Sequence, residues 1–137
     1  APYTRTKNPN YVYEGEGSLL IDLNEKDTIM AVQSFNFFQG SEFTPGAPVF
    51  LEMHYKNDVN MQVGFVYKSP EGIVQYDQPH LYLKSSTEWK KVYVNMSDAT
   101  NLLADDAGIK VYFASVLPTD TTEAKLLVDN IKLITFE

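Results

Sequence analysis

The chain has 137 residues, with 11 Lys and Arg against 18 Asp and Glu and a formal net charge of −7. This length predicts one domain that can bury its own core. The absence of cysteine excludes disulfides, thiolate metal sites and cysteine nucleophiles. The acidic balance argues against a nucleic-acid partner, because phosphate binding needs clustered Lys and Arg.

The two ends of the chain bear on its organisation. Residues 1–13 are polar and interrupted by proline, and we expect an extended segment there, followed by a single domain over residues 14–137. The first residue is Ala rather than Met, so we expect that a signal or lipidation segment has been removed. No apolar run reaches the roughly 18 residues that a membrane-spanning helix needs, and no membrane-spanning segment is predicted.

Strand-forming residues recur in short segments between turn signals, which predicts an all-β chain. The predicted strands, in chain order, are Ser18–Leu23, Thr28–Phe38, Val49–Lys56, Met61–Tyr67, Ile73–Tyr76, Leu81–Lys84, Trp89–Met96, Ile109–Leu117 and Ala124–Phe136. A helical turn fits only within Ser97–Gly108. Because no helix is long enough for a parallel crossover, the pattern predicts two packed antiparallel sheets.

Candidate ligand-binding residues lie on the polar sides of strands and beside the segment Asp77–His80, which separates two predicted strands. Pro79 cannot donate to a strand ladder, so the chain is expected to bend there or to lie at a sheet edge. Aromatic rings could stack on the apolar faces of sugar rings, while acceptors and donors could meet the sugar hydroxyls. The residues that offer these groups are Tyr76, His80, Tyr82, Glu52 and His54, with Gln62 on the polar side of the strand that follows Val49–Lys56. They could form one groove only if their strands are neighbours.

Three segments carry a family pattern: the small-residue start Gly15–Ile21, the tryptophan-led Thr87–Val94, and the closing Leu127–Leu133 with its acidic residue. In this order they resemble the jelly-roll β-sandwiches of carbohydrate-binding modules and galactose-binding-like domains. The resemblance implies an all-β, jelly-roll-like fold and a non-catalytic module that binds a glycan or polysaccharide. It also implies an extracellular or cell-surface protein.

Asp129 is a candidate metal ligand. It shares parity with Ile131 and Leu133, so a regular strand would turn its carboxylate toward the core, where it needs a partner or a cation. The resemblance implies a structural calcium at this position, assisted by Glu14 or Glu16. The alternatives are a local bulge, or hydrogen bonds to Asp129 from nearby backbone N–H groups.

Two other functions stay open. A structural or adhesion domain would contact protein through a flat apolar patch. A small glycoside hydrolase would need two carboxylates across a cleft, and the visible acids are Glu14, Glu16, Glu52, Asp105 and Asp106. An exposed Tyr76 or Tyr82 beside His54 on a concave sheet face would favour glycan binding.

Two aromatic residues receive specific expectations. Trp89 opens a strand in which Val92 and Val94 are expected to be buried, and the resemblance implies core packing, so Trp89 is predicted in the core. Phe43 lies in the long loop Gln39–Pro48, which is the second place to look for a ligand.

Overall fold

A computed structural model describes residues 3–15, 17–33, 38–77, 79–101 and 103–135. The strands are β1 (Tyr3–Thr6), β2 (Ser18–Asn24), β3 (Ile29–Gln33), β4 (Phe38–Gln39), β5 (Val49–Asn57), β6 (Met61–Lys68), β7 (Val74–Tyr76), β8 (Leu81–Leu83), β9 (Lys90–Asn95), β10 (Gly108–Val116) and β11 (Glu123–Thr135). One short helix, α1 (Ser97–Asn101), and 3-10 turns at Pro9–Tyr11 and Gly40–Glu42 lie between them. No helix in these ranges is long and apolar enough to cross a membrane.

The strands form two sheets. The five-stranded sheet has the order β1-β2-β11-β5-β9. In the six-stranded sheet, β3 and β4 both pair with β10, β10 pairs with β6, and β7 and β8 share the far edge of β6. Every pairing is antiparallel. The prediction of an all-β, jelly-roll-like sandwich of two antiparallel sheets is therefore confirmed.

The core lies between the sheets and follows the alternation of apolar residues. Because successive side chains of a strand point to opposite faces, one set from each strand enters the core. The central members are Ile21, Leu23, Val49, Leu51, Met53, Met61, Val63, Phe65, Ile109, Val111, Phe113, Leu126 and Val128. Burial of such side chains contributes about 1.5–3 kcal/mol each. The sheet faces away from this core are called the outer faces.

Two boundaries differ from the sequence-based expectation. The N-terminal segment is predicted to be extended and to precede the domain; its β1 is extended, but it pairs with β2 as an edge strand of the five-stranded sheet, with Thr4 opposite Leu20. Residue 13 is therefore not a structural boundary. The predicted strand Thr28–Phe38 corresponds to β3 and β4, and residues 34–37 lie outside the described residues.

The structure contradicts the expectation for Trp89, and it also shows where the Phe43 side chain lies. Trp89 is half-buried on the outer side of the five-stranded sheet, with its ring 5.6 Å from that of Tyr13. The reason is parity, because Trp89 lies three residues before Val92 and therefore faces away from the core. Phe43 is buried in the core, with its ring 6.5 Å from the Phe38 ring, and is not an exposed loop aromatic.

Candidate functional site

The outer face of the six-stranded sheet collects three tyrosines and two glutamines. In the strand register, Tyr76 of β7 lies opposite Val66, and Tyr82 of β8 lies opposite Gln62. Tyr112 of β10 lies opposite both Gly64 and Gln33. Paired residues of antiparallel strands point to the same side. We call this group the tyrosine face and define it by Gln33, Gln62, Tyr76, Tyr82 and Tyr112.

Two rings of the tyrosine face are open to solvent. Tyr76 is 55% exposed and Tyr82 is 64% exposed. The Tyr76 ring meets the Tyr112 ring edge-on, with 5.7 Å between centroids. The amide of Gln33 donates a hydrogen bond to the Tyr76 hydroxyl. These contacts orient one exposed ring, so part of a stacking surface is formed before any ligand arrives.

Tyr112 forms the floor beneath these rings. It is buried, and its hydroxyl donates to the Asp77 carbonyl oxygen at 3.1 Å. Burial raises the pKa of Tyr112, and the nearby Asp77 and Tyr82 raise it further. The ring lies across Gly64, where a Cβ would come within 2.4 Å of Tyr112 atoms. Gly64 is therefore what allows the Tyr112 ring to lie flat on the sheet.

The connection between β7 and β8, which contains Pro79, lies at a sheet edge, as this proline predicts. Backbone bonds from Asp77 N to the Phe65 carbonyl (3.0 Å) and from His80 N to the Val63 carbonyl (2.8 Å) attach both ends of this connection to β6. The His80 ring lies 5.1 Å from the ring of Phe65, a core residue. His80 itself is exposed.

Glu52 and His54 lie on the other sheet. Both belong to β5, whose neighbours are β9 and β11, whereas Tyr76 and Tyr82 are on strands that pair only with β6. The hypothesis of one groove that combines the two groups is wrong, because the strand order places them on opposite faces of the sandwich. Their position on the less apolar side of β5 is as predicted.

Residues 9–15 cross the outer face of the five-stranded sheet, and we call them the strap. The Tyr13 ring stacks on the His54 ring, with centroids 3.9 Å apart and planes 16° apart. His54 is consequently buried, at 6% exposure. Beside it, Glu52 forms a salt bridge to Lys91 at 3.3 Å. The pKa of Lys91 is raised mainly by its hydrogen bond to Tyr93 and next by its hydrogen bond to Glu52.

Asp129 fastens the strap. Its Oδ2 accepts hydrogen bonds from the backbone N–H groups of Tyr13 (2.9 Å) and Glu14 (3.0 Å), and its Oδ1 accepts one from Asn130 N at 2.7 Å. Both alternatives to a cation at Asp129 are thus present: the backbone hydrogen bonds and a bulge, since the register shifts between Asp129 and Lys132.

The bulge also corrects the parity argument for Asp129. Asp129 pairs with His54 and therefore lies on the outer face, and is buried there. Asn130 has a φ of 54°, a left-handed conformation that Asn tolerates better than most residues. Beyond this residue Leu133 pairs with Leu51 and faces the core, so the strand has changed phase.

Calcium at Asp129 stays a prediction. Glu14 Oε2 accepts a hydrogen bond from the Asn130 side chain at 2.9 Å, and Glu16 lies outside the described residues. Within the described part of the chain, no three His, Asp or Glu side chains are grouped so that they could hold a metal ion.

The sequence-based reasoning missed two residues of the tyrosine face. Tyr112 was visible in the alternation of Ile109–Leu117, which places it opposite the side of Val111 and Phe113. Gln33 had no comparable signal, because its place beside Tyr76 depends on the long-range pairing of β3 with β10.

Comparison with known proteins identifies the fold. No protein-family model and no curated protein matches the sequence. A carbohydrate-binding module, TmCBM61 in complex with β-1,4-galactotriose, is similar at a TM-score of 0.58 and 11% identity, over 97% of this chain and 81% of that one. The CBM22-1 xylan-binding domain of Xyn10C from Paenibacillus barcinonensis is similar at a TM-score of 0.55 and 17% identity, over 97% of this chain and 80% of that one.

A third similar structure is an enzyme domain. The enzymatically active domain of tailspike protein 4 from bacteriophage CBA120 matches at a TM-score of 0.68 and 9% identity. The match covers 98% of this chain and 18% of the tailspike chain. At these identities the likeness concerns the fold, and the chain has the β-sandwich fold that is found in carbohydrate-binding modules.

Proposed function

We propose that this protein is a non-catalytic module that binds a neutral polysaccharide on its tyrosine face. The observation that carries the proposal is the pair of exposed rings, Tyr76 and Tyr82, on one side of the same sheet. Small-ligand sites are lined mainly by apolar and aromatic side chains, with a few polar groups that fix the orientation of the ligand. Gln33 and Gln62 supply amide donors and acceptors for hydroxyl groups.

The comparisons support the same ligand class. Two structures with this fold are described as bound to β-1,4-galactotriose and as a xylan-binding domain. A neutral polysaccharide also suits a chain with a net charge of −7, because an acidic one would be repelled. Such a ligand implies that the protein works outside the cell or at its surface.

The described acids favour a binding role over hydrolysis. Glu52 is paired with Lys91, and Glu14 accepts a hydrogen bond from Asn130. Asp105 and Asp106 are exposed neighbours in the turn before β10. Hydrolysis would need two carboxylates facing each other at roughly 5–10 Å.

The test is a double substitution, Tyr76→Ala with Tyr82→Ala, measured by calorimetry against xylan, β-1,4-galactan and mannan oligosaccharides. Loss of both rings should weaken binding of whichever glycan the parent binds by at least about tenfold, or 1.4 kcal/mol. The matched control is Tyr93→Ala, which removes an exposed ring from the opposite sheet. Equal affinities for the parent and a folded double variant would contradict the proposal.

A second candidate function, contact with protein, is favoured by one observation. Ile29 and Val116 are paired across β3 and β10 on the same outer face, and they are 68% and 58% exposed. A protein partner or a second copy would cover these side chains. Replacing both with Ser should leave glycan affinity unchanged if the tyrosine face binds sugar, and should abolish self-association if a second copy covers it.

A further inference from the structure

A polar cavity of about 430 Å³ opens where β5 and β8 end. Its lining consists of Asn57, Asp58, Ser85, Ser86, Thr87, Glu88 and Lys90, and we call it the end cavity. Its volume falls in the range of roughly 300–1,000 Å³ that is typical of small-molecule sites. The end cavity and the tyrosine face share no residue.

Asn57 is the buried polar group of the end cavity. It is 1% exposed, and both its amide oxygen and its amide nitrogen lack a hydrogen-bond partner in the described structure. Asn57 occupies an inward-facing position, two residues after the core residue Tyr55. Buried amides almost always have partners, because desolvation without one costs free energy. Asn57, which lines the end cavity, therefore has two amide N–H donors and one acceptor oxygen without partners.

Hydrogen bonds hold the walls of the end cavity in place. Ser86 N donates to the Asn57 carbonyl at 2.8 Å, which ties the 85–88 loop to the end of β5. Ser85 N donates to Asn60 Oδ1 at 3.0 Å. On the other wall, Lys125 N donates to Asp58 Oδ2 at 2.8 Å. A site whose walls are already ordered loses less entropy when a ligand binds.

The groups around the end cavity select the class of ligand. Asp58 and Glu88 would repel an anion, whereas Lys90 would oppose a bare cation. Hydroxyl groups both donate and accept, so a hydroxyl-rich neutral molecule can pair with the carboxylates, the ammonium group, the serine hydroxyls and the Asn57 amide together. We propose that the end cavity is a second binding site, separate from the tyrosine face, which takes a single sugar residue of a neutral saccharide.

The experiment is NMR titration of the ¹⁵N-labelled protein with D-galactose, D-xylose and D-mannose, and separately with calcium chloride. We expect at least one sugar to shift the backbone signals of residues 85–88 and the side-chain amide signals of Asn57. Asn57→Leu should weaken this binding at least about tenfold. Glu88→Gln should weaken it too, because a charge-assisted hydrogen bond becomes a neutral one. Glu25→Gln, an exposed change in another turn, is the matched control.

The outcomes separate this site from the tyrosine face. The Tyr76→Ala, Tyr82→Ala double variant should keep the shifts at residues 85–88, whatever happens to polysaccharide binding. If none of the three sugars shifts these signals, or if only calcium does, the second site is refuted. That result leaves the tyrosine face untouched, because the Tyr76→Ala, Tyr82→Ala double variant tests binding there separately. If Asn57→Leu does not fold, Glu88→Gln decides, and an unchanged affinity in that variant would overturn the assignment of Glu88 and Asn57 to a sugar site.

Discussion

The outer faces of the two sheets both carry aromatic residues, but among the described residues a backbone segment crosses only the face of the five-stranded sheet, where it covers His54. On the six-stranded sheet, Tyr76 and Tyr82 project into solvent from short edge strands. On the five-stranded sheet, the strap lays Tyr13 over His54 and beside Trp89. Both faces carry aromatic rings, and the burial of His54 comes from the backbone segment that lies over it.

The comparison shows how one buried carboxylate can hold a backbone segment over a sheet face. Asp129 binds the backbone of the strap, and the strap then buries His54. A carboxylate can accept several backbone hydrogen bonds at once, and bonds of this kind are stronger than neutral ones. The tyrosine face has no such cover among the described residues, which leaves its rings accessible to a ligand.

Asp129→Ala should produce the largest effect, because it removes the fastening of the strap. Three backbone N–H groups lose their acceptor, and we expect a loss of at least about 3 kcal/mol of stability. Urea unfolding measures this loss, and Trp89 fluorescence should change as Tyr13 leaves its ring. Asp106→Ala in an exposed turn is the control. An Asp129→Ala protein as stable as the parent would show that the strap is not held by this side chain.

The same position tests the calcium prediction. If a cation binds there, the melting temperature should be higher in millimolar calcium than in EDTA, since a ligand of the native state stabilises it by mass action. Asp129→Asn should abolish that difference. Identical melting curves of the parent in calcium and EDTA would leave the backbone hydrogen bonds as the whole role of Asp129.

Trp89→Ala sharpens the comparison at an intermediate level. Truncation of a fully buried aromatic residue such as Phe65 costs about 3–5 kcal/mol, because it leaves a cavity. Trp89 is half-buried and its ring contacts that of Tyr13, so we expect Trp89→Ala to cost about 1–2 kcal/mol by chemical unfolding. A loss of stability as large as that of Phe65→Ala would show that Trp89 packs as a core residue.

Tyr112→Phe should have the smallest effect, and it has a pH signature. Loss of the hydrogen bond to Asp77 costs about 0.5–1.5 kcal/mol near neutral pH. Because burial raises the pKa of Tyr112, the folded state holds its proton more tightly than the unfolded chain does. That contribution is present below the unfolded pKa of about 10 and is lost as the pH rises through the raised value. Between about pH 10 and the raised pKa, the free energy of unfolding of Tyr112→Phe should therefore fall less steeply with pH than that of the parent.

Much of the fold was predictable from local pattern, and much of the site was not. The alternation in Val49–Lys56 and in Met61–Tyr67 predicted β5 and β6 and the residues they bury. The site depends on which strands are neighbours, and that choice is made by contacts far apart in sequence. The sequence therefore allowed the hypothesis of one groove that contains Glu52 and Tyr82, although these residues lie on different sheets.

The sequence by itself determined the all-β class and the inward-facing sides of regular strands such as β5, β6 and β10, because alternating apolar residues lie on one face of a strand and that face is the one buried. The tertiary structure alone decided three things. It placed β7 and β8 on the edge of β6, it laid the strap across β5, and it inserted the bulge after Asp129. The physical reason is that a strand pattern specifies a face, whereas neighbours, covers and phase shifts depend on hydrogen bonds to distant backbone, such as those from Tyr13 and Glu14 to Asp129.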